Sequence, residues 1–321
     1  MAEEEKNPEK SSGLKYKIAL FNILTWPLVY LPRRFLLALG AAGGRLAFHL
    51  WAKRRRVAVG NIELVKLAGE LPPETDARAL ARESFANMGR TFLEALVCYH
   101  QGLKPFWEYC RVEEGGEYVE QALADARSRG RGVFFVTGHM GNWEVMCSFF
   151  ARRFNFSLGL VGRNTGKPLV DSVIEKLRTQ EGNAYIAKRG GAMEMMRRLK
   201  KGEHLGTLID QAVVGNHPGA PIPFLGREAS TNLGHLRMAR RAQSPVVLMT
   251  FRREGLYHYI KVFPILEISN LKDNEEALMA EATQLNDWLG EQIKKYPDQW
   301  MWGHRRWKTK EGLRRDPESI V

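Results

Sequence analysis

Cysteine is scarce in this chain. Its 321 residues contain three, Cys98, Cys110 and Cys147, an odd number with no C-x-x-C spacing. That excludes a disulfide framework and offers no zinc signature, and it suits a reducing, cytosol-facing compartment. There is also no G-x-S-x-G elbow to carry a nucleophilic serine. No apolar run reaches the ~20 residues needed to span a bilayer. A signal peptide is not expected, because Glu3-Glu4-Glu5 make the start acidic, the apolar stretch begins late and no small-x-small cleavage site follows. Internal repeats and low-complexity tracts are missing too, and the one break in composition lies near Pro72-Pro73.

What stands out is Val133-Phe-Phe-Val-Thr-Gly-His139-Met-Gly-Asn-Trp-Glu144. Its first part is a β-branched and aromatic run of the kind that forms a buried parallel strand, and the residues from Trp143 have helical apolar spacing. His139 is therefore expected at the carboxyl end of a strand. On one continuous helix, two residues five apart would lie about 140° apart around the axis, but the turn at Gly138 and Gly141 lets His139 fold back over the helix start. Glu144 on Nδ1 would then leave Nε2 as a general base near neutral pH. The amides at Gly141 and Asn142, at the positive end of the helix, suit a developing oxyanion. A buried histidine beside a surface glutamate is the bland alternative. Gly162-Arg-Asn-Thr-Gly166-Lys167-Pro168 is not a phosphate loop, because its glycines are too close and proline replaces the Ser or Thr that reaches magnesium.

Thr137-Gly-His139-Met-Gly-Asn-Trp-Glu144 resembles the H-x4-[DE] motif of the bacterial lipid A biosynthesis acyltransferases, the lauroyl and myristoyl transferases. Further blocks agree in order: Gly162-Arg163-Asn164 with Pro168, Asp171 and Arg178; Gly206-Thr-Leu-Ile-Asp210-Gln211; Pro223-Phe224-Leu-Gly226 with Ala229-Ser-Thr231 and Gly234. The closing block is Tyr296-Pro-Asp-Gln-Trp300-Met-Trp302-Gly-His-Arg305-Arg306-Trp307. The resemblance implies an α/β fold like that of the glycerol-3-phosphate acyltransferases, a mostly parallel central sheet flanked by helices, with an N-terminal membrane-associated helical segment. The pattern itself agrees. Strand candidates at 132–137, 156–161, 183–187, 205–210, 245–251 and 257–263 alternate with helical patterns at 143–153, 167–180, 190–201 and 231–242, and a last helix is expected at 274–294. Residues 1–57 are read as a tail with membrane-associated helices, and 58–321 as the catalytic domain.

In that first part, residues 18–31 are mostly apolar, Arg33-Arg34 interrupts, and Phe35 to Trp51 resumes before Lys53-Arg54-Arg55-Arg56. This fits a pair of helices entering one leaflet, with Trp26, Tyr30 and Trp51 at the interface and the arginines on anionic head groups. Two ordinary core helices are the alternative. The net charge of +12 points to anionic partners. Phosphorylated glycolipid, anionic membrane and acidic acyl carrier protein all answer to it. Nucleic acid is not expected, because the charge is scattered and no recognised binding module accompanies it.

The expected function is O-acyl transfer from a thioester, acyl carrier protein or acyl-CoA, to a hydroxyl of a lipid A precursor at the cytoplasmic face of the bacterial inner membrane. His139 removes the hydroxyl proton, Glu144 orients the imidazole, and Asp210, which ends another strand and is the acidic residue of the third block, approaches His139 from the far side. Arg163, at the end of a strand, binds acceptor phosphate or, with Gly141 and Asn142, the oxyanion. Cys147 reads as core packing. A thioester is already activated, so no metal or other cofactor is expected. Three alternatives remain: an acyl-CoA-dependent phosphatidylinositol mannoside or lysophospholipid acyltransferase, a lipid hydrolase using the same base on water, and a non-catalytic basic membrane-binding protein.

Overall fold

The computed structural model describes residues 8–162, 165–187, 191–213, 219–266, 268 and 274–307. Strand β2 (Phe134–Thr137) shows how the molecule is layered. Alternate side chains of a strand point to opposite faces, so Phe134 and Val136 enter one hydrophobic core while Phe135 enters another. On the Phe135 side lie α5 (Gly116–Ser128), α6 (Trp143–Arg153) and α7 (Pro168–Thr179). On the other side lie α8 (Ala192–Lys200), α9 (Gly234–Ala242) and α10 (Glu275–Lys295). The result is a mixed α/β fold with a mostly parallel sheet between helical layers.

The remaining strands are β1 (Cys110–Glu114), β3 (Leu158–Gly162), β4 (Ala184–Ala187), β5 (His204–Leu208), β8 (Val246–Glu254) and β9 (Tyr257–Leu266). They form a seven-stranded sheet in the order β1-β9-β8-β2-β5-β3-β4. Five strands run parallel, β9 is antiparallel to β8, and β1 is parallel to β9. The chain leaves β2 toward β3 and β4, returns through β5 into the gap beside β2, and later places β8 on the other flank of β2. In open α/β sheets, ligands bind at the carboxyl ends of strands where the winding reverses, and β2 occupies that place.

Among the strands, β1 and a hairpin were not expected. Strand β1 is largely exposed and polar, and so gives no apolar run. The hairpin of β6 (Ala220–Phe224) and β7 (Arg227–Thr231) forms a separate two-stranded sheet; Pro221 and Pro223 in β6 argue against a strand except at an edge, which this is.

The N-terminal helices are α1 (Pro8–Thr25), α2 (Arg33–Leu50), α3 (Ala52–Leu67) and α4 (Ala77–Gln101). The boundary read between residues 57 and 58 lies within α3. Helices α2 and α4 touch backbone to backbone: a Cβ on Gly44 would sit 2.0 Å from the carbonyl oxygen of Phe85, and one on Gly89 would sit 2.0 Å from that of Gly40. One face of α2 buries Leu36, Leu37, Ala41 and Phe48. Its opposite face carries Phe35, Leu39, Leu46 and Leu50, all exposed and at spacings that keep them on one stripe of a helix. Arg33 is not on a head group as the sequence suggested. It turns inward, donating to Glu94 Oε1 at 2.6 Å and to the Leu256 carbonyl at 2.8 Å. Among the described residues no single helix is long and apolar enough to cross a membrane; α2 and α3 pass only as a pair, bent by 96°.

Candidate active site

Parallel pairing of β2 with β5 sets Thr137 opposite Leu208. The ladder goes one step further, with the Ile209 amide donating to the Thr137 carbonyl at 2.9 Å. Two residues beyond each strand, His139 and Asp210 therefore emerge side by side. His139 Nδ1 lies 2.7 Å from Asp210 Oδ1, and the His139 amide donates to Oδ2 at 2.8 Å. The indole Nε1 of Trp300 donates to the same Oδ2 at 2.8 Å. Burial pushes the Asp210 carboxyl upward, but the adjacent His139, through its ring and its amide, outweighs it and holds the group well below the ordinary carboxylate range. An ionised carboxylate only accepts, so Nδ1 carries the proton and Nε2 presents its lone pair. The His139 side chain keeps 14% exposure where Asp210 has none, and Gln211 Nε2 donates to His139 Nε2 at 3.2 Å.

This corrects the role expected of Glu144. In the first turn of α6 it faces α7, where Arg178 grips it through Nε at 3.1 Å and Nη2 at 2.8 and 3.0 Å. The Trp143 indole donates to it at 3.1 Å, and the Trp143 ring stands edge-on to His139 with centroids 5.2 Å apart. Burial raises the Glu144 carboxyl, but Arg178 overcomes this and lowers it overall. Glu144 thus builds the wall beside the imidazole, and the neighbouring strand, not the neighbouring helix turn, supplies the partner of Nδ1.

The oxyanion role expected of Gly141 is likewise corrected, because its amide is already donated to the Gln299 carbonyl at 3.0 Å. Gly141 has φ +60°, and a Cβ there would lie 2.3 Å from the Phe251 carbonyl oxygen, so only glycine fits the turn. Asn142 is fully buried. Its Oδ1 caps α6 by accepting from the Val145 amide at 3.2 Å, and its Nδ2 donates to Glu94 Oε2 at 2.9 Å. Arg163 lies outside the described residues.

Several supporting residues had no sequence reading. Thr91 Oγ1 donates to the Gly141 carbonyl at 2.9 Å, the Met301 amide donates to the His139 carbonyl at 3.0 Å, and Met140 bridges to Trp300 as in an antiparallel strand pair. Asn61 on α3 holds the carbonyls of Trp302 and His304 at 2.8 and 2.7 Å. The tryptophan-rich tail is thus the frame of the catalytic loop, and its matching block was the one signal that could have marked it. Beneath the loop, fully buried Glu94 accepts from Arg33, Arg253, His258 and Asn142. Burial opposes its ionisation, but Arg253, His258 and Arg33 prevail and keep it well below the ordinary range. All three thiols are buried, which pushes each up to about 12. Cys147, one turn from Glu144, is therefore protonated and a poor nucleophile.

A first prediction follows from the division of labour between the two carboxylates. Glu144→Gln leaves Arg178 without a counter-charge and is expected to cost about 1–3 kcal/mol of stability, as for a buried hydrogen-bonding group left unsatisfied, with a smaller loss of activity than Asp210→Asn. Urea unfolding and steady-state rates of both variants check it; the reverse order of activities would return the imidazole partner to Glu144.

The bacterial lipid A biosynthesis acyltransferase family matches residues 5–309. The lipid A biosynthesis lauroyltransferase of Escherichia coli (strain K12) is 26% identical over 295 residues, 89% of each chain. The palmitoleoyltransferase of the same strain is 25% identical over 315 residues, 92% of each. A lipid A biosynthesis acyltransferase of Haemophilus influenzae is 22% identical over 309 residues, again 92% of each. With His139 on its strand end and the matching blocks in order across nearly its whole length, the chain belongs to the bacterial lipid A biosynthesis acyltransferase family and is an acyltransferase.

Proposed function

We propose that this enzyme moves a fatty acyl group from acyl carrier protein to a hydroxyl of a lipid A precursor, at the cytoplasmic face of the inner membrane. The observation that carries the reading is the His139–Asp210 pair at 2.7 Å on adjacent strand ends, in a chain of this family. The E. coli relatives are named for lauroyl and palmitoleoyl transfer in lipid A biosynthesis, which supports a fatty acyl donor and a lipid A acceptor. The charge of +12 suits an acidic carrier and a phosphorylated acceptor.

In this reading Nε2 of His139 takes the hydroxyl proton as the oxygen attacks the thioester carbonyl. Asp210 stabilises the imidazolium that forms. The tetrahedral intermediate collapses, the carbon–sulfur bond breaks, and the thiolate leaves with the proton from Nε2. Because the thioester is already activated, positioning and proton transfer suffice, with no metal or redox cofactor. Protonated, buried thiols support direct transfer over an acyl-enzyme. The test is mass spectrometry of lipid A from cells lacking the gene. The expected lipid is one acyl chain short, restored by the wild type and not by His139→Ala; unchanged lipid A would remove this acceptor.

Membrane association belongs to the same proposal. Leu20, Ile23 and Leu24 of α1, Trp26 and Tyr30 in the turn that follows, and Trp51 after α2 are exposed, as is the apolar stripe of α2. Such a face suits insertion into one leaflet, with interfacial aromatics at its rim. Since α2 is packed on α4, single charges on the exposed stripe test the idea without dismantling the core. Ile23→Asp with Leu39→Asp is expected to shift the folded protein to the soluble fraction. High salt alone should leave the wild type on membranes, because salt screens charge and not apolar burial; release of the wild type by salt alone would make the attachment purely electrostatic.

A further inference from the structure

We propose that Gln211 is a further catalytic residue: its side-chain amide covers Nε2 of His139 in the resting enzyme and, once displaced by the attacking hydroxyl, donates to the oxyanion of the tetrahedral intermediate. The proposal rests on the acyl-transfer reading above. Acyl transfer places a negative charge on the carbonyl oxygen, and donors aimed at that oxygen are usually the largest single contribution to such catalysis. A strand-to-helix turn ordinarily offers its backbone amides for this purpose. Here the His139 amide is held by Asp210 Oδ2, the Met140 amide by the Gly138 carbonyl, and the Gly141 amide by the Gln299 carbonyl. The indole N–H groups of Trp143 and Trp300 are committed to Glu144 and Asp210. These donors are committed elsewhere, and Gln211 offers another from across the site.

Gln211 is placed to supply it. Its Nε2 stands 3.2 Å from His139 Nε2, the position an attacking hydroxyl must take to give up its proton. The residue is exposed, yet its backbone follows directly on Asp210, which is fully buried and held by His139 and Trp300. The main chain is therefore fixed while the long side chain can rotate. When the hydroxyl displaces it, the amide moves by about the width of one oxygen and stays beside the reacting carbon.

The step then balances without another reactant. The O–H bond breaks and its proton passes to Nε2. The new O–C bond forms as the carbonyl π pair moves onto oxygen, where Gln211 Nε2–H meets it. The pair returns, the C–S bond breaks, and the thiolate takes the proton from Nε2.

The test uses the full-length enzyme with two acceptors, lipid A precursor and water. Hydrolysis of a short acyl-pantetheine thioester through His139 forms the same oxyanion and needs no lipid. Gln211→Ala is expected to keep its melting temperature and to lower kcat for both reactions on the order of 10²-fold, the loss typical for one oxyanion donor, with KM for the lipid acceptor unchanged or lower. Gln211→Glu, which cannot donate and repels the oxyanion, is expected to lose more. A Gln211→Ala rate within threefold of wild type, or above it as a mere latch would give, overturns the proposal. If wild type transfers nothing to lipid A precursor while its His139-dependent hydrolysis still collapses in Gln211→Ala, the acceptor assignment falls and the role of Gln211 stands.

Discussion

Purified His139→Ala protein is expected to lose acyl transfer by ~10²- to 10⁴-fold, the usual contribution of a general base, while its fold is unchanged. His139 extends from a loop, and the contacts that hold this loop are made by its backbone: the amide to Asp210 and the carbonyl to Met301. Truncating the imidazole leaves both in place. Asp210→Asn should be comparably damaging for a different reason. An asparagine amide can donate to Nδ1, which moves the imidazole proton to Nε2 and removes the lone pair that accepts the hydroxyl proton; in a Ser-His-Asp triad the equivalent change costs about 10⁴-fold. Circular dichroism and initial rates measure both variants, and a tenth of wild-type activity in His139→Ala would dismiss it as the base.

The largest expected effect on stability is at Glu94, beneath the catalytic loop. This carboxylate has no solvent exposure and is bonded to Arg33 at 2.6 Å, Arg253 at 2.5 Å and His258 at 2.8 Å. Glu94→Ala strands two guanidinium groups and an imidazole in the core, and removing one partner of a buried ion pair typically costs about 3–5 kcal/mol. The variant also loses the acceptor for Asn142, the cap of α6 under the catalytic loop. A fall of that size in urea unfolding free energy is expected, with Glu94→Gln between it and wild type. A loss under about 1 kcal/mol, the scale of an exposed pair, would mean that the cluster relaxes without its anion.

Much of this frame was legible in the sequence because the central elements are apolar and periodic. The helix expected at 143–153 is α6 to the residue, and β2 and β5 lie within or beside their expected spans. Strands β1 and β6 were not, because β1 exposes polar side chains and β6 contains two prolines. At the site, His139 at a strand end followed from local pattern, whereas its partner did not. Chain order suggested Glu144, five residues on; the actual neighbour is 71 residues away, because β5 returns into the gap between β2 and β3. Strand order in a doubly wound sheet is a tertiary fact, so Asp210 could be read as a strand-end acid approaching His139, and as the acid of the third block, but not as the partner of Nδ1. Arg33 misled for a related reason: an arginine between apolar stretches reads as interfacial until the buried anion opposite it, Glu94, is known.

The central claim is that His139, held by Asp210, delivers the acyl group directly from a thioester to a lipid hydroxyl. The most direct measurement is thiol release from acyl carrier protein thioester by the purified enzyme, with and without lipid A precursor, followed by mass analysis of lipid and protein. The account predicts release that depends on the acceptor, a lipid heavier by one acyl chain and a protein of unchanged mass. Equal release without acceptor, or a stable acyl adduct on the protein, would contradict it.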